Sequence, residues 1–185
     1  MADDLILVDC QHDFIDGTLA CAHGEEAAAY LAAFLNAHPV RALYTADWHS
    51  PANRSFRENG GIWPVHCVAG TRGAALAEVF AETVQDEANR PSGRNTFRKG
   101  RDDEVEEYSA FGGVNDAGER LGDVASPHVY VGGIASEYCV RETVLALLAS
   151  GRTVTVLPEG LAWVSEEDHG KNLADLRERG VRFFG

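Results

Sequence analysis

The sequence lacks several features that mark particular classes of protein. Its longest apolar stretch, residues 27–35, is far shorter than the roughly 20 residues that cross a bilayer. No basic and apolar leader opens the chain. Only four cysteines are present, at positions 10, 21, 67 and 139, and none forms a CxxC pair. We therefore expect a soluble cytoplasmic protein with reduced thiols.

Positive charge is also scarce. The chain has 16 Lys and Arg against 29 Asp and Glu, which gives a formal net charge of −13. Such acidity opposes binding to the phosphates of nucleic acids and to anionic lipid surfaces. We expect neither nucleic acid nor a membrane as a partner, while the sequence leaves a homo-oligomer open.

The length and the apolar pattern predict the fold class. A chain of 185 residues is expected to form one domain, residues 1–185, with a sizeable core. Continuous apolar runs at residues 5–8, 40–45, 128–131 and 153–157 are typical of buried parallel strands. Between them, residues 27–35 and 140–150 repeat apolar side chains at helical spacing. We also expect a short strand near 96–98, a helix from Ser165 to Gly180 and a last strand at 181–184. This alternation predicts an α/β fold with a doubly wound, mainly parallel sheet flanked by helices.

In such a sheet, ligands bind beyond the carboxyl ends of the strands. Cys139 follows a glycine-rich strand end and begins the predicted helix, which Ser136 is placed to cap. A helix N-terminus favours the nucleophilic thiolate. Asp9 follows the first buried run, where desolvation raises a carboxyl pKa and suits a proton acceptor. Lys99, near the third strand, would hold such a carboxylate ionised. These three residues are candidates for nucleophilic catalysis.

A second group of side chains predicts a metal site. Asp47 and His49 are two residues apart in extended chain, so they point to the same side. His66 can supply a third ligand. Two imidazoles and one carboxylate suit zinc, iron(II) or manganese and leave positions open for water or substrate. Asn53, Glu58 and Cys67 could supplement the shell. Aromatic residues flank both groups and could hold a flat ring: Phe14, Trp48, Trp63, Tyr108 and Tyr138.

Taken together and in order, these segments resemble the isochorismatase-like cysteine hydrolases, and within them the nicotinamidase/pyrazinamidase branch. Residues 9–14 (DCQHDF), 45–49 (TADWH), 63–69 (WPVHCVA), 99–100 (KG), 108–111 (YSAF) and 133–140 (GIASEYCV) carry the likeness. It extends through almost the whole chain. Arg72 replaces a proline that relatives usually carry, residues 50–56 lack a further acid or histidine ligand, and residues 82–94 have no counterpart.

The resemblance implies a nicotinamide amidohydrolase that returns nicotinamide to NAD synthesis, with pyrazinamide as a further substrate. It assigns catalysis to Asp9, Lys99 and Cys139, and the oxyanion hole to the N–H groups of Ala135 and Cys139. The Ile134–Ala135 peptide is expected to be cis. One divalent metal ion, zinc before iron or manganese, would be bound by Asp47, His49 and His66. The substrate ring would pack on four aromatic residues: Phe14, Trp63, Tyr108 and Tyr138.

Four alternatives are weighed at this point, and one of them, a catalytically inactive binding homologue, is disfavoured because every reactive group is present. Related cysteine hydrolases act on other small amides, such as N-carbamoyl compounds, ureido acids or maleamate, and generally lack the metal triad. Isochorismatase proper typically lacks the cysteine. A signalling receiver domain also has aspartates and a lysine at strand ends, but it needs an acidic pair where Asp9 is followed by Cys10. It also leaves Cys139 and the two histidines without a role.

Overall fold

The structure is a computed structural model that describes residues 3–185. Its centre is one sheet of six parallel strands in the order β3-β2-β1-β4-β5-β6. This confirms the predicted fold class. Strand β1 lies inside the sheet because residues 5–8 are apolar and buried on both faces. The strands are β1 (Asp4–Val8), β2 (Arg41–Asp47), β3 (Thr96–Lys99), β4 (His128–Gly133), β5 (Thr153–Leu161) and β6 (Arg182–Phe183).

Helices cover both faces of this sheet. They are α1 (His12–Ile15), α2 (Gly24–Ala37), α3 (Val79–Thr83), α4 (Leu121–Val124), α5 (Arg141–Ala149) and α6 (Glu166–Glu178). Apolar side chains of α2 and α3 form the core on one face, and those of α4, α5 and α6 form the core on the other. Within residues 3–185, no helix is long and apolar enough to cross a membrane.

The boundaries of several elements differ from the sequence-based expectation. Strand β2 continues to Asp47, so this aspartate is the last residue of the strand rather than the first after it. Strand β5 continues to Leu161 through Pro158, and β6 has only two residues. The prediction for α6 is confirmed at its start, where the Ser165 side chain accepts a hydrogen bond from the backbone N–H of Asp168.

The strand order places a crevice between β1 and β4. The chain leaves β1 toward β2 and β3 on one side, and returns to β4 on the other side. At this point the connections diverge, which opens a cleft at the carboxyl ends of the two strands. The loops after β1, β2 and β4 and the last residue of β3 therefore meet above the same edge of the sheet.

Leu31 of α2 anchors this helix on the sheet. The side chain is fully buried, and its methyl groups lie against Gly132 of β4 and Gly160 of β5. A Cβ at either glycine would approach Leu31 Cδ2 to 2.6 or 2.7 Å, so both positions leave room for the leucine. The helix and the sheet pack closely at this point because Leu31 occupies the space that the two glycines, which have no side chain, leave open.

Replacement of Leu31 by alanine is expected to lower the free energy of unfolding by about 3–4 kcal/mol, because it removes buried methyl groups and leaves a cavity. Urea unfolding followed by circular dichroism would measure the loss. Ile62→Ala is a suitable control, since that side chain is 62% exposed, and we expect it to cost less than about 0.5 kcal/mol. Equal losses in the two variants would contradict this description of the core.

Candidate active site

Four candidate residues meet at the carboxyl edge of the sheet. Asp9 follows β1, Asp47 ends β2, Lys99 ends β3, and Cys139 lies in the turn after β4. Asp9 has a left-handed backbone with φ of 48°, a conformation that is uncommon for a residue other than glycine. All four side chains are buried. The sheet therefore brings together residues that are separated by up to 130 positions in the chain.

The Lys99 ammonium is the centre of this group. Its Nζ lies 3.0 Å from Asp9 Oδ2, 2.5 Å from Asp47 Oδ1 and 3.5 Å from Cys139 Sγ. Thr45 of β2 donates a hydrogen bond from its hydroxyl to Asp9 Oδ1 at 2.6 Å, which orients that carboxylate. The other oxygen, Oδ2, accepts no well-aligned hydrogen bond from any of residues 3–185. Its polar neighbour is the Lys99 ammonium, and Cys139 Sγ lies within 4.8 Å of an oxygen of the same carboxylate.

The two carboxyl groups around Lys99 have opposite pKa shifts. Burial raises the pKa of Asp9, and the nearby charge of Asp47 adds to the increase, while Lys99 opposes it only in part. Burial would also raise the pKa of Asp47, but Lys99 and His49 lower it well below its usual range. The pKa of Lys99 is raised well above its usual value because burial is outweighed by the two carboxylates and Cys139. The raised pKa of Asp9 agrees with the prediction from sequence and suits a proton acceptor.

Cys139 differs from the sequence-based expectation in two ways. It lies in a short π-helical turn, Ser136–Val140, that precedes α5. Ser136 does not cap this turn with its side chain, because the hydroxyl contacts His169 and Asn172 of α6 instead. Burial raises the pKa of the Cys139 thiol well above its usual value, and Lys99 lowers it only in part. The predicted capping and the predicted thiolate were therefore wrong, and the thiol needs a base to become a nucleophile.

A base lies within reach of this thiol. The Sγ atom of Cys139 and carboxylate oxygens of Asp9 and Asp47 all lie within 4.8 Å of one another. The Ile134–Ala135 peptide at the end of β4 is cis, as the resemblance implies. Ala135 and Cys139 line the same cavity. A carbonyl group held in this cavity would therefore face the sulfur.

The predicted metal ligands also meet. One ligand atom from each of Asp47, His49 and His66 lies within 4.8 Å of the others, and all three residues are buried. The Nε2 atoms of His49 and His66 are 3.5 and 3.9 Å from Asp47 Oδ2. Each ring uses its other nitrogen, Nδ1, to contact a backbone carbonyl, that of Gly100 at 2.7 Å and that of Pro64 at 2.8 Å.

This arrangement fits a divalent metal ion. A carbonyl at Nδ1 selects the tautomer whose Nε2 lone pair is available for a metal, which is the usual environment of a ligating histidine. Gly100 is required beside His49, because it has a φ of 66° and its Cβ would lie 2.4 Å from the ring. Asp9, Asp47 and Cys139 form another compact group of ligand atoms. The Lys99 ammonium lies among them and supplies the positive charge there in place of a metal ion.

One cavity connects the metal ligands with the thiol. The aromatic residues Phe14, Trp63, Tyr108 and Tyr138 line it, as the sequence predicts. Trp63 packs edge-on against Tyr138, with ring centroids 5.0 Å apart. Trp48 contacts Arg98 instead, whose guanidinium carbon lies 4.6 Å from the indole. The cavity lining thus combines metal-ligand atoms, the thiol and flat aromatic side chains.

Two side chains that hold this site were not recognised from the sequence. The Gln11 carboxamide accepts from the Asp47 N–H and donates to the Asp47 carbonyl, both at 2.8 Å. Asp13 Oδ2 accepts from the Cys67 N–H at 2.7 Å and so fixes the segment that carries His66. Both lie in the quoted motif of residues 9–14, but their roles depend on contacts with distant backbone that periodicity does not reveal.

The residues considered as supplementary ligands have other contacts or positions. The Asn53 carboxamide lines the cavity and holds the loop through Ser55 N–H and the Gly100 carbonyl. Cys67 directs its thiol at the Gly73 carbonyl, and Glu58 is exposed. Ser55, Glu106 and Glu107 also line the cavity without having been predicted.

Comparisons with known proteins agree with this geometry. The isochorismatase domain family matches residues 4–184. A nicotinamidase/pyrazinamidase of Mycobacterium tuberculosis is 32% identical over 189 residues, covering 96% of this chain and 95% of its own. The pyrazinamidase of Pyrococcus horikoshii, solved in complex with zinc, superposes with a TM-score of 0.83 at 31% identity, covering 100% of this chain and 99% of its own. PnC1 from L. infantum, solved with nicotinate, has a TM-score of 0.83 at 30% identity and covers 99% and 92%.

Proposed function

This chain belongs to the isochorismatase domain family, and from that premise we propose that it is a nicotinamidase, which hydrolyses nicotinamide to nicotinate and ammonia. One observation carries the proposal. The thiol of Cys139 and the ligand atoms of Asp47, His49 and His66 line one cavity with aromatic walls. A single flat amide bound there can therefore reach both the thiol and the metal ligands. In its salvage role, the reaction returns nicotinamide to NAD synthesis.

The ring would bind between the aromatic side chains. Phe14, Trp63, Tyr108 and Tyr138 bury its faces and hold the carboxamide near Cys139. Asp47, His49 and His66 would hold one divalent ion, zinc by preference, with iron or manganese as alternatives. When bound, this ion would act as a Lewis acid that can coordinate the pyridine nitrogen. A ring nitrogen thereby becomes a requirement for good substrates, which favours nicotinamide and pyrazinamide over non-aromatic amides.

The acyl transfer follows from the positions of Asp9 and Cys139. Asp9 removes the thiol proton, and the sulfur attacks the amide carbonyl to form a tetrahedral intermediate. The N–H groups of Ala135 and Cys139 would stabilise its oxyanion. Asp9 then returns the proton to the amide nitrogen, the carbon–nitrogen bond breaks, and ammonia leaves a nicotinoyl thioester on Cys139.

Water completes the reaction. Asp9, ionised again, removes a proton from water, whose oxygen attacks the thioester; the carbon–sulfur bond breaks and releases nicotinic acid, which ionises to nicotinate. The proton returns to the sulfur and restores the starting state. Lys99 keeps Asp9 and Asp47 in their required charge states throughout, because it pairs with both carboxylates. We further propose that residues 1–185 form a single hydrolase domain, since β1 and β6 from opposite ends of the chain belong to the same sheet.

An ammonia-release assay on the purified protein tests this function. We expect hydrolysis of nicotinamide and pyrazinamide, and a kcat/KM for a non-aromatic amide at least about 100-fold lower, because a loss of ring contacts worth some 3 kcal/mol corresponds to that factor. Metal analysis of the same protein should give about one divalent ion per chain. Preference for a ureido or N-carbamoyl compound, with no bound metal, would overturn the proposal in favour of another amide hydrolase of this family.

A further inference from the structure

The cavity mouth carries a carboxylate held by two aromatic side chains. The indole N–H of Trp63 donates to Glu106 Oε1 at 3.2 Å and to the Tyr108 hydroxyl at 3.1 Å. The Tyr108 hydroxyl donates to the same oxygen of Glu106. All three side chains line the cavity, and Glu106 itself is exposed. The two hydrogen bonds therefore fix a negative charge at the entrance rather than leaving it to move freely in solvent.

The segment that carries this carboxylate contacts residues of the catalytic group, and Glu106 and Cys139 line the same cavity. The backbone carbonyl of the next residue, Glu107, is 3.4 Å from Lys99 Nζ, which is 3.5 Å from Cys139 Sγ. The Tyr108 ring packs against Tyr138, the residue before Cys139, with centroids 5.6 Å apart. Residues 106–108 thus line the cavity and contact Lys99 and Tyr138, which are neighbours of the thiol.

Charge distinguishes the product of the proposed reaction from its substrate. The amide is neutral, whereas the acid carries a new carboxylate at the carbon that faces Cys139. Lys99 offers this anion no free ammonium, because Asp9 and Asp47 already pair with it. The fixed carboxylate of Glu106 would therefore repel the product without acting on the neutral substrate.

We propose that Glu106 is a specificity-determining residue that disfavours anionic ligands, so that the enzyme binds neutral amides in preference to its own carboxylate product. The inference rests on the proposed function and extends it to the charge of the ligand. It implies weak product inhibition and rejection of substrates that carry a second carboxylate near the reacting amide.

Binding measurements on the Glu106→Gln variant test this role. Glutamine keeps an oxygen that can accept from Trp63 and Tyr108, but it removes the charge. With Cys139→Ala as the background to prevent turnover, calorimetry would give Kd for nicotinate and for nicotinamide. We expect the ratio of the nicotinate Kd to the nicotinamide Kd to fall about three- to fivefold, as one charge at close range in a partly solvated site allows. Raising the salt to about 0.5 M should tighten nicotinate binding in the Glu106 protein and change it less in the variant.

Two further variants separate charge at this position from other effects. Glu104→Gln makes the same change in net charge at an exposed position of the same segment, and the ratio should stay within about 1.5-fold. Glu106→Ala also removes the acceptor of Trp63 and Tyr108, so it should weaken both ligands as well as lower the ratio. An unchanged ratio in Glu106→Gln, or an equal change in Glu104→Gln, would overturn the inference.

Activity of the parent enzyme distinguishes a failure of this inference from a failure of the proposed function. If it releases ammonia from nicotinamide while Glu106→Gln leaves the ratio unchanged, only the role of Glu106 is wrong. If the parent is inactive and the Cys139→Ala protein binds neither ligand, the proposed function fails, and the role of Glu106 fails with it.

Discussion

Replacement of Cys139 by alanine is expected to lower kcat/KM for nicotinamide by about 10⁴-fold or more, because removal of the nucleophile leaves no acyl-transfer route through the enzyme. Binding of nicotinamide should persist, since the proposed ring contacts with Phe14, Trp63 and Tyr138 and the proposed metal ligands are unchanged. Ammonia release would measure the activity, and calorimetry the affinity.

Cys21→Ala is the matched control for the loss of a thiol. Cys21 is buried and lines the same cavity, but its Sγ donates to the Leu19 carbonyl at 3.4 Å. Burial raises its pKa to about 12, and Cys21 is not part of the compact group in which Asp9 can act as a base for Cys139. We expect a loss of less than about tenfold in this variant. Activity above about 1% of the parent in Cys139→Ala would exclude the thioester route.

Lys99→Met should have the second largest effect, on activity and on stability together. Methionine has a similar length but leaves Asp9 and Asp47 buried without their shared cation. Removal of one partner from a buried ion pair costs about 3–5 kcal/mol. We expect a loss of unfolding free energy of this order at neutral pH and a fall in kcat of at least about 100-fold. Urea unfolding and ammonia release would measure the two effects.

The same variant predicts a shift in the pH profile. Lys99 lowers the pKa of Asp9 and that of Cys139, so its removal raises both. Asp9 then needs a higher pH to ionise, and the acid limb of kcat/KM should move to higher pH. The stability defect should shrink as the pH falls, because protonation of Asp9 removes the repulsion between the two carboxylates.

Lys171→Met controls for the loss of a lysine. Lys171 is the other lysine of the chain and pairs with Glu167 on the surface of α6. Surface pairs contribute little, so both the stability and the pH profile should stay close to those of the parent. An acid limb that does not move in Lys99→Met would show that Asp9 is not the base.

The local pattern of apolar and capping residues made the strands and helices predictable. The run of residues 5–8 is apolar at every position, which is typical of a strand covered on both faces, and this strand lies inside the sheet. Helix α2 was predictable from its apolar spacing and α6 from Ser165. The end of β5 was not, because Pro158 and Gly160 weaken a strand signal that pairing with β4 overrides.

The surroundings of Cys139 show where reasoning from local sequence failed. Serine three residues before the cysteine is a good capping candidate, but α6 offers its hydroxyl two other partners, His169 and Asn172. A helix N-terminus favours a thiolate only where solvent or charge supports it. Here full burial decides the pKa, and burial is a property of the packed molecule.

The sequence by itself determined the fold class and the chemical types of the groups in the site, because apolar periodicity and side-chain chemistry are local. It also placed those groups near strand ends, where a parallel sheet gathers them. Only the tertiary structure decided the directions of their pKa shifts and the partners that hold them, such as Lys99 between Asp9 and Asp47, or Glu106 as the acceptor of Trp63 and Tyr108. These properties depend on desolvation and on distances between segments far apart in the chain, and both come into existence only when the chain packs.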